Sequence, residues 1–593
     1  MKIGIFIAYP PKSELSNQGL GRLLRSIVAG INESGNGQVV LLCPSWLHEE
    51  VRNLFHGFPS DRFEIVSKSK VPLVVKLWEK FLAKNRQKRK EGRGRLARLK
   101  AAAFRSFAQS LRVAGRSLLW MLSSDNDLWF LACLVVLLAF AAILAPVALL
   151  AIAVLAVAYL IAKLVTTLRA RQRLLSFRSR VRRVIERRLG SLLQRKLPPF
   201  GQIVLREVAR REARHLVRMA NSMKDVDVWY SPTVFWPEFN SIRAARVQAF
   251  PDMLISEFPT AFVSSIKDAP HIYKRAKEAI TGGTYFTTYS TVTAERGLSA
   301  QFSVPLDRIA IIPHAAMDFS AKINIKGTLD DAYAREQFAR NLIDGYRMTS
   351  WQNDQYLANI NFQDTNFIFY ASQIRPNKNV LNLIKGYEIA LRKRFIYSKL
   401  ILTGNISHAP DVEQYVKKHR LQYDVLFAYD VPDQVLAALY ARARLVVNPT
   451  LYEGGFPFTF SEGMSVGTPS IMSRIPQVTE FVHGELADTM LFDPMSPEDI
   501  ASKIVWGLKN RERLLELQTP LYNEMRNRSW ADVGQDHVDL FRKIVAAGIP
   551  AFRVQAQSVA GGAAGHAIAG SSARNASTEG TSRSPAVTLS SSP

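Results

Sequence analysis

Residues Leu128 to Ala162, LWFLACLVVLLAFAAILAPVALLAIAVLAVAYLIA, contain no charged side chain. One helical crossing of a bilayer takes ~20 apolar residues. The run is therefore long for a single span and short for two spans with a loop. Pro146 near its middle would kink or break a helix, and Trp129 and Tyr159 stand near its ends, where interfacial aromatics collect. A buried pair of core helices is the alternative, but the flanks oppose it. KNRQKRKEGRGRLARLK precedes the run and RARQRLLSFRSRVRRVIERR follows it. Positive residues on both sides keep both ends cytoplasmic, which implies a hairpin or a re-entrant wedge rather than a single pass.

The charge of the chain is concentrated here. From Lys80 to Arg218 there are 30 Lys and Arg against 6 Asp and Glu, a net of +24 out of +27 for all 593 residues. Such segments rest on anionic membrane lipids. Nucleic acid is the rival partner for a basic tract, and it is set aside because these tracts bracket a hydrophobic run. The remainder is nearly neutral at +3. MKIGIFIAYPPK lacks the pattern of a secretory signal and reads as a buried strand, Ile3 to Ala8. Two cysteines, Cys43 and Cys133, give neither a disulfide framework nor a cysteine metal site. The expected location is the cytoplasmic face of a bacterial inner membrane.

On either side of the basic block the pattern alternates between strands and helices. Strands are expected at Lys2–Ala8, Gln38–Cys43, Asp227–Ser231, Ala245–Ala249, Tyr285–Ser290 and Ile309–Pro313, and later at Phe367–Tyr370, Lys399–Thr403 and Leu445–Val447. Helices are expected at Arg22–Asn32, Asn379–Arg394 and Asp433–Ala443. Such alternation implies parallel, doubly wound sheets. The expected division is a first domain over 1–75 and 220–335, an inserted basic helical region over 76–219 and a second domain over 336–545. A Ser, Ala and Gly-rich tail over 555–593 is expected to be disordered. Strands on both sides of the insertion belong to one sheet, which again requires an even number of crossings, or none.

Chemistry concentrates in NPTLYEGGFPFTFSEGMSVGTPS, Asn448 to Ser470. Glu453 stands in the loop after a buried strand. Gly454 and Gly455 next to it would let backbone N–H groups approach a ligand. Pro457 opens a helix and Gly467 ends it, so Glu462 falls inside that helix. Two carboxylates and a helix N-terminus then face the carboxyl ends of the strands, where such sheets bind ligands. QIRPNKN, Gln373 to Asn379, follows another strand, and its Arg375 and Lys378 can meet the charge of a departing diphosphate. Gly19 and Gly21 precede the first helix, where a phosphate, a sugar or a simple tight turn would each use them. Asp225-Val226-Asp227 has the form of a D-x-D metal motif, but reads better as a polar strand start.

These motifs resemble the large retaining glycosyltransferase family 4, with its GT-B fold, over about residues 1–70 and 225–545. The resemblance implies that Glu453 contacts the donor sugar, Glu462 binds the ribose and Lys378 holds the donor phosphates. It places Gly19 and Gly21 beneath the donor, and Gly454, Gly455, Phe456 and Gln373 around it. SVPLDRIAIIPHA (Ser303–Ala315) and Ser529-Trp530 also look familial. Eight residues separate the glutamates rather than seven. Ser372-Gln373 replaces a Gly-Arg pair, leaving Arg375 to supply the cation, and the family's His-Asp pair reads Pro251-Asp252. The implied activity is retaining, metal-independent transfer from a nucleotide-sugar, first of all a GDP-sugar such as GDP-mannose, to a lipid-linked or polysaccharide acceptor. No cofactor is implied beyond the donor substrate. A catalytically weak scaffold of a glycan assembly and a nucleotide-sugar hydrolase or phosphorylase are the rival readings.

Overall fold

The structure, a computed structural model, describes residues 1–77 and 200–548, apart from 12, 14, 16–18, 60, 69, 253, 262–268, 351–354 and 363. Leu128–Ala162 and the tail over 555–593 lie outside the described residues, as does most of the insertion. Among the described residues no helix is long and apolar enough to cross a membrane.

Two sheets form, each wholly parallel. The first holds β1 (Lys2–Phe6), β2 (Gln38–Leu42), β3 (Phe63–Val66), β4 (Val228–Ser231), β5 (Ala245–Ala249), β6 (Tyr285–Thr288) and β7 (Ile309–Ile311), in the order β3-β2-β1-β4-β5-β6-β7. The second holds β8 (Phe367–Tyr370), β9 (Lys399–Leu402), β10 (Val425–Phe427), β11 (Leu445–Asn448), β12 (Ser470–Ser473) and β13 (Leu491–Phe492), in the order β10-β9-β8-β11-β12-β13. Helices cover both faces, so central strands such as β4 and β8 are buried at every residue. In each sheet the strand order reverses once, at β1/β4 and at β8/β11, and these reversals open crevices at the carboxyl ends.

β3, β10, β12 and β13 were not expected from the sequence. β13 has two residues and β10 three, too few for a periodic signal, and β3 carries Glu64 on an edge. The insertion separates β3 from β4, yet β4 pairs with β1, two strands from β3. The sheet is therefore completed from both sides of the insertion, as expected.

The domain limits differ from expectation at two helices. Phe200–Ser222 extends across residue 220, and its Ala213, Leu216, Val217 and Ala220 lie in the core of the first sheet. The last helix, Trp530–Ala546, lies inside the expected second domain, yet Val533, Val538, Leu540, Phe541 and Ile544 also join the first core. Two glycines permit this return. A Cβ on Gly30, in helix Gly19–Glu33, would stand 1.8 Å from the Trp530 carbonyl oxygen, and one on Gly534 would stand 2.2 Å from the Gly30 carbonyl carbon. The helix backbones touch, and no sequence periodicity reports such a contact.

His537 anchors that last helix. It is 1% exposed, its Nδ1 lies 2.7 Å from the Val533 carbonyl, and its ring meets Tyr230 edge-on at 5.7 Å. Burial lowers its pKa to about 4, and burial, followed by the charges of His537 and Arg528, lowers that of His314 to about 3. Both imidazoles are neutral in the folded chain, while the unfolded chain takes up protons near 6.5. Stability is therefore full above pH 6.5 and falls as the pH drops toward 4, by about 1.4 kcal/mol per pH unit for each imidazole. Urea midpoints at pH 7.5, 6.5 and 5.5 should trace this decline, and His537→Leu should flatten it by about half.

Candidate active site

The crevice between β8 and β11 is built by two loops that tie themselves together. After β8, Pro376–Lys378 forms a single tight turn, and Asn379 takes a left-handed conformation (φ 52°) before helix Val380–Arg394. Asparagine tolerates that conformation better than most residues, and the Asn379 side-chain amide donates to the Pro494 carbonyl at 2.7 Å. After β11, Leu451 N–H donates to the Asn377 carbonyl at 2.7 Å and the Thr450 hydroxyl to the same oxygen at 3.2 Å. This lacing brings Lys378 and Glu453 together as an ion pair, Nζ to Oε1, with side chains 24% and 20% exposed. The two residues come from adjacent central strands at the strand-order reversal. They stand where a ligand of such a sheet would be held.

Asp252, in the loop after β5 of the first sheet, shares this neighbourhood. Burial raises its carboxyl above the usual carboxylate range; the Leu254 N–H and the charges of Arg375 and Lys378 oppose the rise, and Glu453 adds to it. Tyr9, after β1, is likewise raised by burial, then by Asp252, with Arg375 opposing. Tyr289, after β6, is raised by burial and by Tyr230, Asp252 and Tyr9. Residues from both sheets thus form one electrostatic cluster: Tyr9, Asp252 and Tyr289 from the first, Arg375, Lys378 and Glu453 from the second. Arg375 and Gln373 are exposed at its mouth.

The paired glycines beside Glu453 lie against the loops of the first sheet. A Cβ on Gly454 would stand 1.9 Å from the Pro251 carbonyl oxygen, and the Gly454 carbonyl accepts from the Ser290 and Thr293 hydroxyls at 3.0 and 2.8 Å. Gly455 backs onto Tyr289, whose Cβ would lie 3.0 Å from its own. The loop is pressed against the first sheet's loops, so its glycines bring protein backbone close to protein backbone. Pro251 takes part through its carbonyl oxygen. Phe456 stacks edge-on with Phe460 and Phe481, each at 5.4 Å, within the second core.

Glu462 lies in the seven-residue helix Phe458–Met464 and is 8% exposed. Its carboxylate accepts from the Tyr440 hydroxyl. Burial raises its pKa, and the Tyr440 hydrogen bond and Arg22 lower it. Arg22, at the start of helix Gly19–Glu33, pairs with Asp433 at 2.9 Å, and Lys322 pairs with the same Asp433 at 3.1 Å. A Cβ on Gly21 would stand 1.9 Å from the Leu15 carbonyl oxygen, whereas one on Gly19 would meet nothing within 4 Å among the described residues.

One wall of the candidate cleft is aromatic. The His314 ring lies 4.1 Å from Tyr289, 4.8 Å from Phe458 and 6.2 Å from Trp530. The chain crossing between the sheets is fastened by Met317 N–H on Ser461 Oγ and Phe319 N–H on Ser465 Oγ, both at 3.0 Å. Arg528 and Trp530 donate to the Pro313 and Ala316 carbonyls at 3.1 and 3.3 Å. Reading the sequence did not select Tyr9, Tyr289 or His314 as site residues. Tyr9-Pro10-Pro11 interrupts an apolar strand and His314 falls within the stretch Ser303–Ala315 noted above, whereas Tyr289 carries no local signal. Asp225 and Asp227 are tied to Lys2 at the opposite, amino-terminal end of the sheet, by an ion pair and a 2.8 Å backbone hydrogen bond. They start a strand, as the sequence suggested.

Residues 353–528 match the family "Glycosyl transferases group 1", so the second sheet carries a domain of that group. The chain is 30% identical over 145 residues to the O-antigen chain mannosyltransferase B of Escherichia coli, covering 24% of this chain and 37% of that protein. It is 26% identical over 180 residues to the lipopolysaccharide 1,2-N-acetylglucosaminetransferase of Salmonella typhimurium, covering 29% and 47%. The chain therefore spans less than half the length of these two relatives. A glycosyltransferase structure from Rickettsia africae superposes with a TM-score of 0.49 at 11% identity, over 92% of this chain and 98% of that one.

Gly454→Ala forces a methyl group against the Pro251 carbonyl and should cost about 1–3 kcal/mol. Amide exchange at residues 289–293 and 452–456 should speed up together, and Gly455→Ala should show a smaller effect. Unchanged protection in Gly454→Ala would mean that the contact does not hold the loops together.

Proposed function

We propose that this chain is a glycosyltransferase that takes a hexosyl group, mannose being the first to test, from a nucleotide-sugar to a lipid-linked or surface-polysaccharide acceptor at the cytoplasmic membrane face. One observation carries the reading. The Lys378–Glu453 pair sits at the strand-order reversal of the second sheet, and Asp252 of the first sheet lies within its field. The group 1 match over 353–528 and the similarity to an O-antigen mannosyltransferase support it.

In this reading the donor diphosphate takes Lys378 from Glu453, and Arg375 closes on it from the mouth. Two cations then meet the negative charge that grows as the bond between the anomeric carbon and the phosphate oxygen breaks. Glu453, released from Lys378, accepts hydrogen bonds from sugar hydroxyls, and Glu462 binds the ribose. The acceptor hydroxyl attacks from the face the diphosphate leaves, so configuration is retained, and its proton passes to the departing phosphate oxygen. Asp252 orients that hydroxyl. The cations make a metal unnecessary in this scheme. The uncharged run Leu128–Ala162 with its basic flanks supports attachment to the membrane as a hairpin.

The experiment is turnover of UDP-, GDP- and ADP-sugars by the detergent-purified chain beside Glu453→Ala and Lys378→Ala. One nucleoside diphosphate should be released, and each variant should lose on the order of 100-fold in kcat/KM, about 2.7 kcal/mol, as the loss of an oxyanion-stabilising donor does elsewhere. Release that is indifferent to Glu453, or no donor bound by the folded chain, would sink the transferase and leave the scaffold reading. Release without any acceptor would favour a hydrolase.

A further inference from the structure

The two ends of the insertion meet on the first domain. Residues 78–199, 122 in all, leave after the helical stretch 73–77 and return into helix Phe200–Ser222. Val75, Val204 and Val208 form one buried cluster across that junction, with Trp46, Val71, Val74 and Leu205 packed around it. Glu212 docks the helix further, accepting from Ser45 N–H at 3.3 Å and from the Ser45 hydroxyl at 3.2 Å. Glu238 ties it from the other side, pairing with Arg275 at 2.7 Å and Arg210 at 3.8 Å. The insertion therefore departs from and returns to one fastened root. The root also adjoins the candidate cleft, because the Trp46 indole N–H donates to the Tyr9 carbonyl at 3.0 Å.

The outward face of the root is basic. Arg210, Arg214 and Arg218 recur every fourth residue of the helix and all three are exposed, so they form one stripe. Arg214 also meets Glu207 at 3.2 Å, and Arg218 lies 3.4 Å from His215 Nδ1. Lys76 and Leu77, the last described residues before the insertion, are exposed as well, Leu77 by 41%. The helix that follows the insertion carries a cationic stripe, the chain enters the insertion at an exposed leucine, and the insertion holds a 35-residue uncharged run at 128–162. Together these match the chemistry of an anionic bilayer surface.

We propose that this root is a bilayer-contact surface. Anionic phospholipid headgroups sit on Arg210, Arg214 and Arg218, Leu77 reaches the acyl boundary, and the Tyr9 rim of the cleft is held toward the membrane. The purpose of that orientation, delivery of a membrane-borne acceptor to Asp252, rests on the function proposed above; the contact itself does not.

The test uses the full chain in vesicles of phosphatidylcholine with or without phosphatidylglycerol. A benzophenone side chain replaces Leu77, Arg214 or, as a remote control, Tyr397, which is 90% exposed beyond the second sheet's helix Val380–Arg394. Irradiation should attach lipid at positions 77 and 214 and not at 397, with more adduct when phosphatidylglycerol is present. Three cations correspond to roughly a 100-fold preference for anionic headgroups, so R210Q/R214Q/R218Q should lower the adduct at 77 by about tenfold or more. An unchanged melting temperature would show that this variant is folded. No adduct at 77, equal labelling at 397, indifference to phosphatidylglycerol, or adduct only with added RNA would each overturn the proposal. Nucleoside diphosphate release is read on the same vesicles. Adduct without release sinks the transferase alone, and release without adduct sinks the contact surface alone.

Discussion

Gly454 and Pro251 meet backbone to backbone, at a separation where a Cβ on Gly454 would lie 1.9 Å from the Pro251 carbonyl oxygen. The Ser290 and Thr293 hydroxyls secure the contact from the first sheet's side. Everything in the cleft is registered by it. The residue before Gly454 is Glu453 and the residue after Pro251 is Asp252, so the contact sets two carboxylates from different sheets in one field. Their mutual repulsion is tolerable because Lys378 and Arg375 lie in the same field, and burial has already shifted Asp252 toward its neutral form. Away from that contact, Arg22 and Lys322 meet Asp433, and two side-chain hydroxyls hold the crossing chain.

The charge pattern of the cleft has a consequence for order of events. Lys378 and Glu453 neutralise each other. In the reaction proposed above, an incoming diphosphate would separate the pair and free Glu453 for sugar hydroxyls, coupling phosphate and sugar binding through one ion pair. Glu462 is buffered differently, held by the Tyr440 hydroxyl in a buried site, which keeps its orientation fixed.

The last helix and the insertion impose a common constraint on the first domain. Trp530–Ala546 closes one side through a glycine-to-glycine crossing, and Phe200–Ser222 covers another with a buried carboxylate on Ser45. Both are long-range returns of the chain to a sheet begun in the first 66 residues. The first sheet is complete only when the insertion has been traversed, and its core only when the second sheet has been passed.

The sequence by itself determined the parallel, doubly wound class, because buried apolar strands alternating with amphipathic helices have no other economical packing. It also singled out two loops as candidates for chemistry, because Glu453, Arg375 and Lys378 stand beside glycine and proline at strand ends against an apolar background, and the structure pairs Lys378 with Glu453. Short strands such as β13 were not legible, since two residues have no period. Tertiary structure alone decided the rest. That Gly454 presses the second sheet's loop against the first depends on Pro251, some 200 residues away. That Tyr9, Tyr289 and His314 wall the cleft, and that the last helix belongs to the first core, follow from distances between residues whose local patterns are silent. Local pattern reports which face of an element is apolar; only the folded chain reports which other face it meets.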